Sequence, residues 1–193
     1  MLFNKYNLTV AKMASKSEIK PALASVMFTN TKTVATDGAR LLEVSVDSEL
    51  KLEQAPEVAG RKPMRGVKPF LVPASKVKEI KLPVKPVVAE AGVVSVLHRD
   101  DKRVELGVGM DDVITTVPVT DEFPQYEQIF PTGKPVLELA VNGRLLAEML
   151  EMMAKLGSVE RVNIQLYGGE KPIVLTASNG HQTARGLVMP MMR

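Results

Sequence analysis

Apolar positions along this chain fall into two rhythms that alternate and repeat. Leu145, Leu146, Met149, Leu150, Met153 and Leu156 recur at three- and four-residue steps, which predicts an amphipathic helix. Asn142 before it suits an N-cap, and Gly157 after it suits the residue that ends a helix. Three runs with strand character follow, over 161–166, 172–176 and 184–189, parted by the turn signals Gly168-Gly169 and Asn179-Gly180. The same order occurs upstream. Residues 71–80 parallel 140–149: a short strand, a cap-like residue, then a helix ending in Glu-apolar. Runs over 93–97, 103–108 and 113–119 come next, parted by Asp100-Asp101 and Asp111-Asp112. Links this short predict antiparallel meanders.

A first copy of the unit occupies the N-terminal third. Phe3, Tyr6, Val10 and Met13 recur at helical steps, so a helix is expected to begin almost at the N-terminus. A strand over 6–10 is the competing reading. Strands are expected over 22–29, 32–36 and 40–46, and under the helix reading this unit lacks a leading strand. Residues 48–66, with two Pro and mixed charge, read as a loop or mobile connection. Residues 120–133 carry two Pro and two Phe, so that linker is expected to be packed down.

Composition narrows the class. At 45% hydrophobic residues the chain can build a core, and with 4% aromatics and no Trp, aliphatics and Met must fill it. The net charge of +3 is too small to specify nucleic acid by itself. No Cys is present, which excludes disulfides and thiolate metal sites. No apolar run reaches membrane-spanning length, and the first residues lack the long apolar core of a signal peptide, so a soluble cytoplasmic protein is expected.

Three segments stand out. Leu187-Val188-Met189-Pro190-Met191-Met192-Arg193 is apolar where most chains carry a polar tail. Val34-Ala35-Thr36-Asp37-Gly38-Ala39-Arg40-Leu41 and Phe123-Pro124-Gln125-Tyr126 lie upstream of it. In their order, and with the strand patterns between them, these segments resemble the bacterial DNA polymerase III beta subunit, the sliding clamp. Residues 1–123 look like that family's middle domain, with units 1–66 and 67–123. Residues 124–133 look like a linker, and residues 134–193 like only the second half of its last domain. The resemblance implies an α+β clamp fold of three repeated units, each a helix plus three or four antiparallel strands, with helices lining a ring and sheets outside.

It also implies a function. In that family the three segments line a pocket that receives short linear motifs from polymerases, the clamp loader and repair proteins. Carried over by position, the peptide-binding groove here comprises Leu23, Thr36, Gly38, Arg40, Leu41, Pro124, Ile129, Leu187, Met189, Pro190 and Met191. Ala39 departs from the usual His, and Met191-Met192 from a single Met. The residue types suit the role. Met adapts to several partners, Arg40 can donate to a carbonyl or carboxylate, and Gly38 permits close backbone approach.

Basic residues are concentrated between Arg61 and Lys85, where Glu79 is the single acid among Arg61, Lys62, Arg65, Lys68, Lys76, Lys78, Lys81 and Lys85. The resemblance places Lys12, Lys76, Lys78 and Arg144 toward the DNA backbone, where contacts carry no sequence information. Glu148 and Glu151 on the third helix argue against a strongly attractive channel. Clamp rings contain about twelve helix-bearing units, so three per chain imply four chains. A chain with two unlike ends favours head-to-tail contacts, and the expectation is a homotetrameric ring.

Catalysis is not expected, nor is a cofactor or metal. His98 and His181 both sit beside turns, and their spacing fits no zinc site. Gly168-Gly169 joins strands and precedes no helix, so it is no phosphate loop. Ser15, Ser17 and Ser25 have no His or Asp in a triad-like arrangement. The runner-up reading is a clamp-like adaptor or decoy that binds clamp-interaction peptides without encircling DNA. A plain basic nucleic-acid-binding domain, with steep salt dependence, is the third.

Overall fold

The computed structural model describes residues 1–83, 92–156 and 160–191. Lys85, Gly157, Met192 and Arg193, which the sequence reading used, lie outside the described residues. The chain divides into two compact units, Met1–Glu127 and Gln128–Arg193.

The first unit is built from two halves of like design. One half runs β1 (Leu2–Asn4), α1 (Lys5–Thr9) continued by a 3-10 turn (Val10–Met13), β2 (Ser25–Phe28), β3 (Lys32–Thr36) and β4 (Leu41–Ser45). The other runs β5 (Phe70–Pro73), α2 (Ala74–Glu79), β6 (Val93–Arg99), β7 (Val104–Val108) and β8 (Asp112–Thr116). Each half lends its leading strand to the other. The two sheets are β1-β6-β7-β8 and β4-β3-β2-β5, with Phe3 opposite Val94 and Val72 opposite Val26. Phe3, Phe28 and Phe70 meet at the centre of the core: Phe3 stands edge-on to Phe28 at 5.0 Å, and Phe28 stacks on Phe70 at 5.4 Å. Val10, Ala11, Ala74 and Val77 from the helical layer close over them.

The N-terminal expectation needs correction. The helix does begin almost at the N-terminus, at Lys5, and no strand forms over 6–10, but Phe3 lies in a leading strand that the helix reading had left out. Asn4 is the cause. Its side chain accepts from Tyr6 N at 2.9 Å and Asn7 N at 3.4 Å, while Asn7 Oδ1 accepts from Asn4 N at 3.1 Å. This reciprocal cap ends the strand and starts the helix at one residue. β2 is shorter than expected because the chain turns through Pro21, with Leu23 N donating to Lys20 O at 3.0 Å. β8 stops at Thr116 because Pro118 offers no donor; the chain then returns to β5, where Val119 N donates to Leu71 O at 3.0 Å.

Residues 48–66 are irregular, as expected, but anchored. Val58 is fully buried, Met64 N donates to Val96 O at 2.7 Å, and Arg61 bonds the buried Glu105. Gly107 on β7 makes this possible. A Cβ there would lie 2.9 Å from Ser95 Oγ, 3.0 Å from Val58 and 3.1 Å from Leu97.

Among the described residues the second unit is one α-helix on one sheet. Asn142 caps α3 (Gly143–Leu156), accepting from Arg144 N at 3.1 Å and Leu145 N at 3.3 Å. Strands β9 (Asn163–Gln165), β10 (Ile173–Ser178) and β11 (Thr183–Val188) follow, in the order β11-β10-β9. Met153 packs with Ile173, Leu175, Ala177 and Val188, and Met149 fits against Gly186, where a Cβ would meet its sulfur at 3.0 Å. The leading strand expected at Ala140-Val141 is reduced to one bridge, Val141 to Pro190, backed by Met191 N donating to Ala140 O at 2.8 Å. β5 gains its ladder from a partner half, and among the described residues no such half pairs with this segment.

Candidate functional site

The segment 36–41 forms the β3–β4 turn, and its residues serve the turn first. Thr36 Oγ1 donates to Arg40 O at 2.8 Å and accepts from Gly38 N at 3.0 Å. Asp37 Oδ1 accepts from Ala39 N and Arg40 N, both at 3.0 Å. Gly38 has a φ of +93°, with open space where a Cβ would stand, so glycine is needed for the backbone and not for clearance. The backbone N–H groups of Arg40 and Ala39, joined by the Arg40 side chain, hold the Asp37 carboxyl below its ordinary pKa. Arg40 is largely exposed, and its Nε is bonded to Asp37 Oδ2 at 3.0 Å. Thr36 is buried opposite the half-buried Leu41. Leu23 is half-buried in the turn that leads into β2, where its carbonyl accepts from Ser15 N at 2.8 Å.

The linker is fixed to this hairpin by a cluster that sequence reasoning missed. Tyr126 is buried, and its hydroxyl donates to Glu43 Oε2 at 2.6 Å. Lys32 Nζ lies 2.8 Å from Glu43 and 2.8 Å from Glu127, and 5.3 Å from the centre of the Tyr126 ring. Bonding to Glu127 and Glu43 raises the Lys32 pKa, and Lys32 in turn lowers that of Glu43. Burial raises the Tyr126 pKa. Phe123 stands edge-on to Tyr126 at 6.0 Å. Pro124 is exposed beside them, and Ile129 is exposed in the 3-10 turn Glu127–Ile129. The expectation of a packed linker therefore holds at Phe123 and Tyr126.

Leu187, Met189 and Met191 are 56%, 58% and 56% exposed, so these alternate positions of the apolar stretch are not core, although Val188 between them is. Met189, Pro190 and Met191 line a cleft of about 430 Å³ with Glu138, Ala140, Gly169 and Glu170. The repeat explains their placement. Met191 N bonds Ala140 O as Val119 N bonds Leu71 O, which makes Met189-Pro190-Met191 the counterpart of Val117-Pro118-Val119. The first unit has a matching cleft of about 500 Å³ that includes Leu71, Pro118 and Val119. The shared apolar-Pro-apolar pattern was visible in the sequence and could have revealed this relation.

The basic positions differ in their surroundings. Lys76 is 3.0 Å from Glu79, and Arg144 is 3.0 Å from Glu148. Lys12 and Lys78 are exposed and carry no ion pair among the described residues. His98 is held at 3.0 Å by Asp100 in the β6–β7 turn, and that contact, joined by the Lys102 and Arg103 N–H groups, takes the Asp100 pKa down to about 2. Among the described residues no group of three or more His, Asp or Glu is placed to hold a metal. Among the described residues no helix is long and apolar enough to cross a membrane.

No protein-family model matches the sequence, and no curated protein matches it. Solved structures do. A DNA polymerase sliding clamp from Pseudomonas aeruginosa aligns with a TM-score of 0.69 at 19% identity, covering 100% of this chain and 51% of that one. The beta subunit of DNA polymerase from Streptococcus pyogenes aligns at 0.66 and 14% identity, covering 100% and 50%. A sliding clamp from Bacillus subtilis aligns at 0.68 and 13% identity, covering 96% and 46%. The chain thus spans about half the length of these neighbours, and over its own length it has the fold of the bacterial sliding clamp.

Proposed function

We propose that this chain is a sliding clamp: a homo-oligomeric ring around duplex DNA that tethers a polymerase or other DNA-processing proteins through an apolar groove. It is a binding protein of the cytoplasm with no catalytic site and no cofactor. Residues 1–123 act as one clamp domain, 124–133 as a linker, and 134–193 as a half domain. The groove draws on Leu23, Thr36, Gly38, Arg40, Leu41, Pro124, Ile129, Leu187, Met189, Pro190 and Met191. The observation that carries the reading is the exposed Met189 and Met191 lining an open cleft, with Leu187 exposed in the strand that leads to them. Two apolar ligand anchors buried there contribute about 3–6 kcal/mol before ordering costs, which suits partners that exchange.

Lys12, Lys76, Lys78 and Arg144 face the DNA backbone in this reading, and four chains make the ring. Carboxylates beside Lys76 and Arg144 temper the attraction. A ring tolerates that, because topology retains it on DNA. The same two ion pairs favour the second reading, an adaptor that binds the same peptides without encircling DNA.

Two experiments test the proposal. Met189→Ser with Met191→Ser should lower affinity for a clamp-binding peptide at least ~10-fold while leaving the assembly mass unchanged; unaltered affinity removes the groove assignment. Loading on nicked circular DNA, with release when the circle is cut, is expected of a ring. An adaptor is indifferent to the cut, and a plain basic domain binds linear DNA equally well with steep salt dependence.

A further inference from the structure

The second unit is half of what the first unit is, and the first unit shows what its other half does. There, each leading strand is inserted beside the first strand of the opposite half: β1 along β6 and β5 along β2. Among the described residues, the second unit has a leading segment with no ladder on its outer side and a strand, β9, with no neighbour on its free edge. Both vacancies are the two ends of one missing exchange.

Equivalent positions measure how much is left uncovered. Pairing places Ile164 opposite Leu175 as Val96 is placed opposite Leu106. Val96 is 0% exposed, whereas Ile164 is 54% exposed. Leu71 is buried by the exchange, whereas Ala140 in its place is exposed. β6 runs seven residues and β9 only three. Leu145 and Met152, two turns apart on one flank of α3, are 54% and 60% exposed, where α2 in the first unit has a helical neighbour.

The geometry points to a second copy of this chain as the occupant: two second units pair about a twofold axis, each placing its leading segment along the other's β9, and together form one complete clamp domain. The two halves of the first unit supply the template, and the vacancies are self-complementary, as an isologous contact requires. A partner that only added a strand to β9 would leave the leading segment and the α3 flank open, whereas a second copy covers all three. Register follows from Leu2 opposite Ser95 and Phe3 opposite Val94. By equivalence, Ala140 of one copy stands opposite Asn163 of the other, and Val141 opposite Val162. This contact replaces the head-to-tail one expected from unlike ends. A ring of four chains then closes through two kinds of twofold contact. The inference rests on the fold and needs neither DNA nor peptide.

Disulfide trapping tests it. The full chain has no Cys, and Ala140 and Asn163 are both exposed, so each accepts the substitution without loss of core. The leading segment lies on the β11 side of the sheet and β9 at the far edge, so no link forms within one chain. Directly opposed strand residues are about 4.5–5.5 Å apart between Cα atoms, within reach of a disulfide. Under mild oxidation without DNA, the Ala140→Cys/Asn163→Cys variant is expected to run as a discrete reducible species at twice the 21.0 kDa chain mass, at least ~10-fold above either single variant. A ladder of higher species, or no link while both thiols still react with a small reagent, overturns the proposal. So does preferential linking of Asn163→Cys to Ser45→Cys on β4 or Thr115→Cys on β8, the free edges of the first unit. Peptide capture and circle trapping are read separately, so either proposal can fail alone.

Discussion

The Tyr126 hydroxyl joins residues far apart in sequence, reaching Glu43 while Lys32 bonds both Glu43 and Glu127. Tyr126→Phe deletes one charge-assisted hydrogen bond and should lower stability by about 1–2 kcal/mol in a urea melt. Glu43 has its folded pKa below its unfolded one, so its contribution is present above the ordinary carboxylate range and is lost as pH falls through the lowered value. Lys32 is shifted upward, so its contribution is present below the ordinary lysine pKa and is lost only as pH rises through the raised value. Stability from this cluster is therefore flat at neutral pH and falls in acid. Glu43 is about a third exposed, which limits its effect to below about 1 kcal/mol. Glu43→Gln should flatten the acid limb of the stability–pH curve by that amount, and an unchanged limb would rule the cluster out as its source. Gly107→Ala drives a methyl against Ser95, Val58 and Leu97 and should reduce stability by about 1–3 kcal/mol. A melt midpoint equal to that of the parent chain would contradict the close approach.

Helix α1 is held to its sheet by one buried amide. Asn7 Nδ2 donates to Val44 O at 3.1 Å and Ser45 O at 3.0 Å, and Asn7 O accepts from Thr33 Oγ1 at 2.9 Å. Asn7→Ala leaves two β4 carbonyls without that donor and should cost about 2–3 kcal/mol by thermal or urea melting. Asn142→Ala, on an exposed cap, should cost about 1 kcal/mol. The contrast separates what could be read in advance from what could not. Asn142 stood before a long apolar period and marked its helix plainly. Asn4 and Asn7 lie in a segment where helical and strand periods overlap, so the switch between them depended on a cap and a tertiary partner invisible locally. Strand ends were misjudged where prolines or tertiary neighbours decide: Pro118 ends β8 early, and among the described residues Val141 has a single bridge, to Pro190.

At the scale of the whole chain, the repeat of helix and three strands was legible because short turns and alternating runs suffice to predict it. The sequence also singled out the 36–41 turn, although most of its polar groups serve the turn itself. The Tyr126 cluster was not legible, since Glu43 lies 83 residues from Tyr126 and Lys32 lies 95 from Glu127. The assembly carries its own prediction: a mass of four chains at micromolar concentration by light scattering, with a persistent monomer or dimer refuting the four-chain ring. Tyr126 has one further consequence. The chain has no Trp and three Tyr, and Tyr6 and Tyr167 are 60% and 56% exposed while Tyr126 is 4% exposed. Its emission, shaped by a carboxylate neighbour, can be told from the other two by resistance to an aqueous quencher. The molecule therefore carries a native optical probe on the segment that leads from one unit to the next.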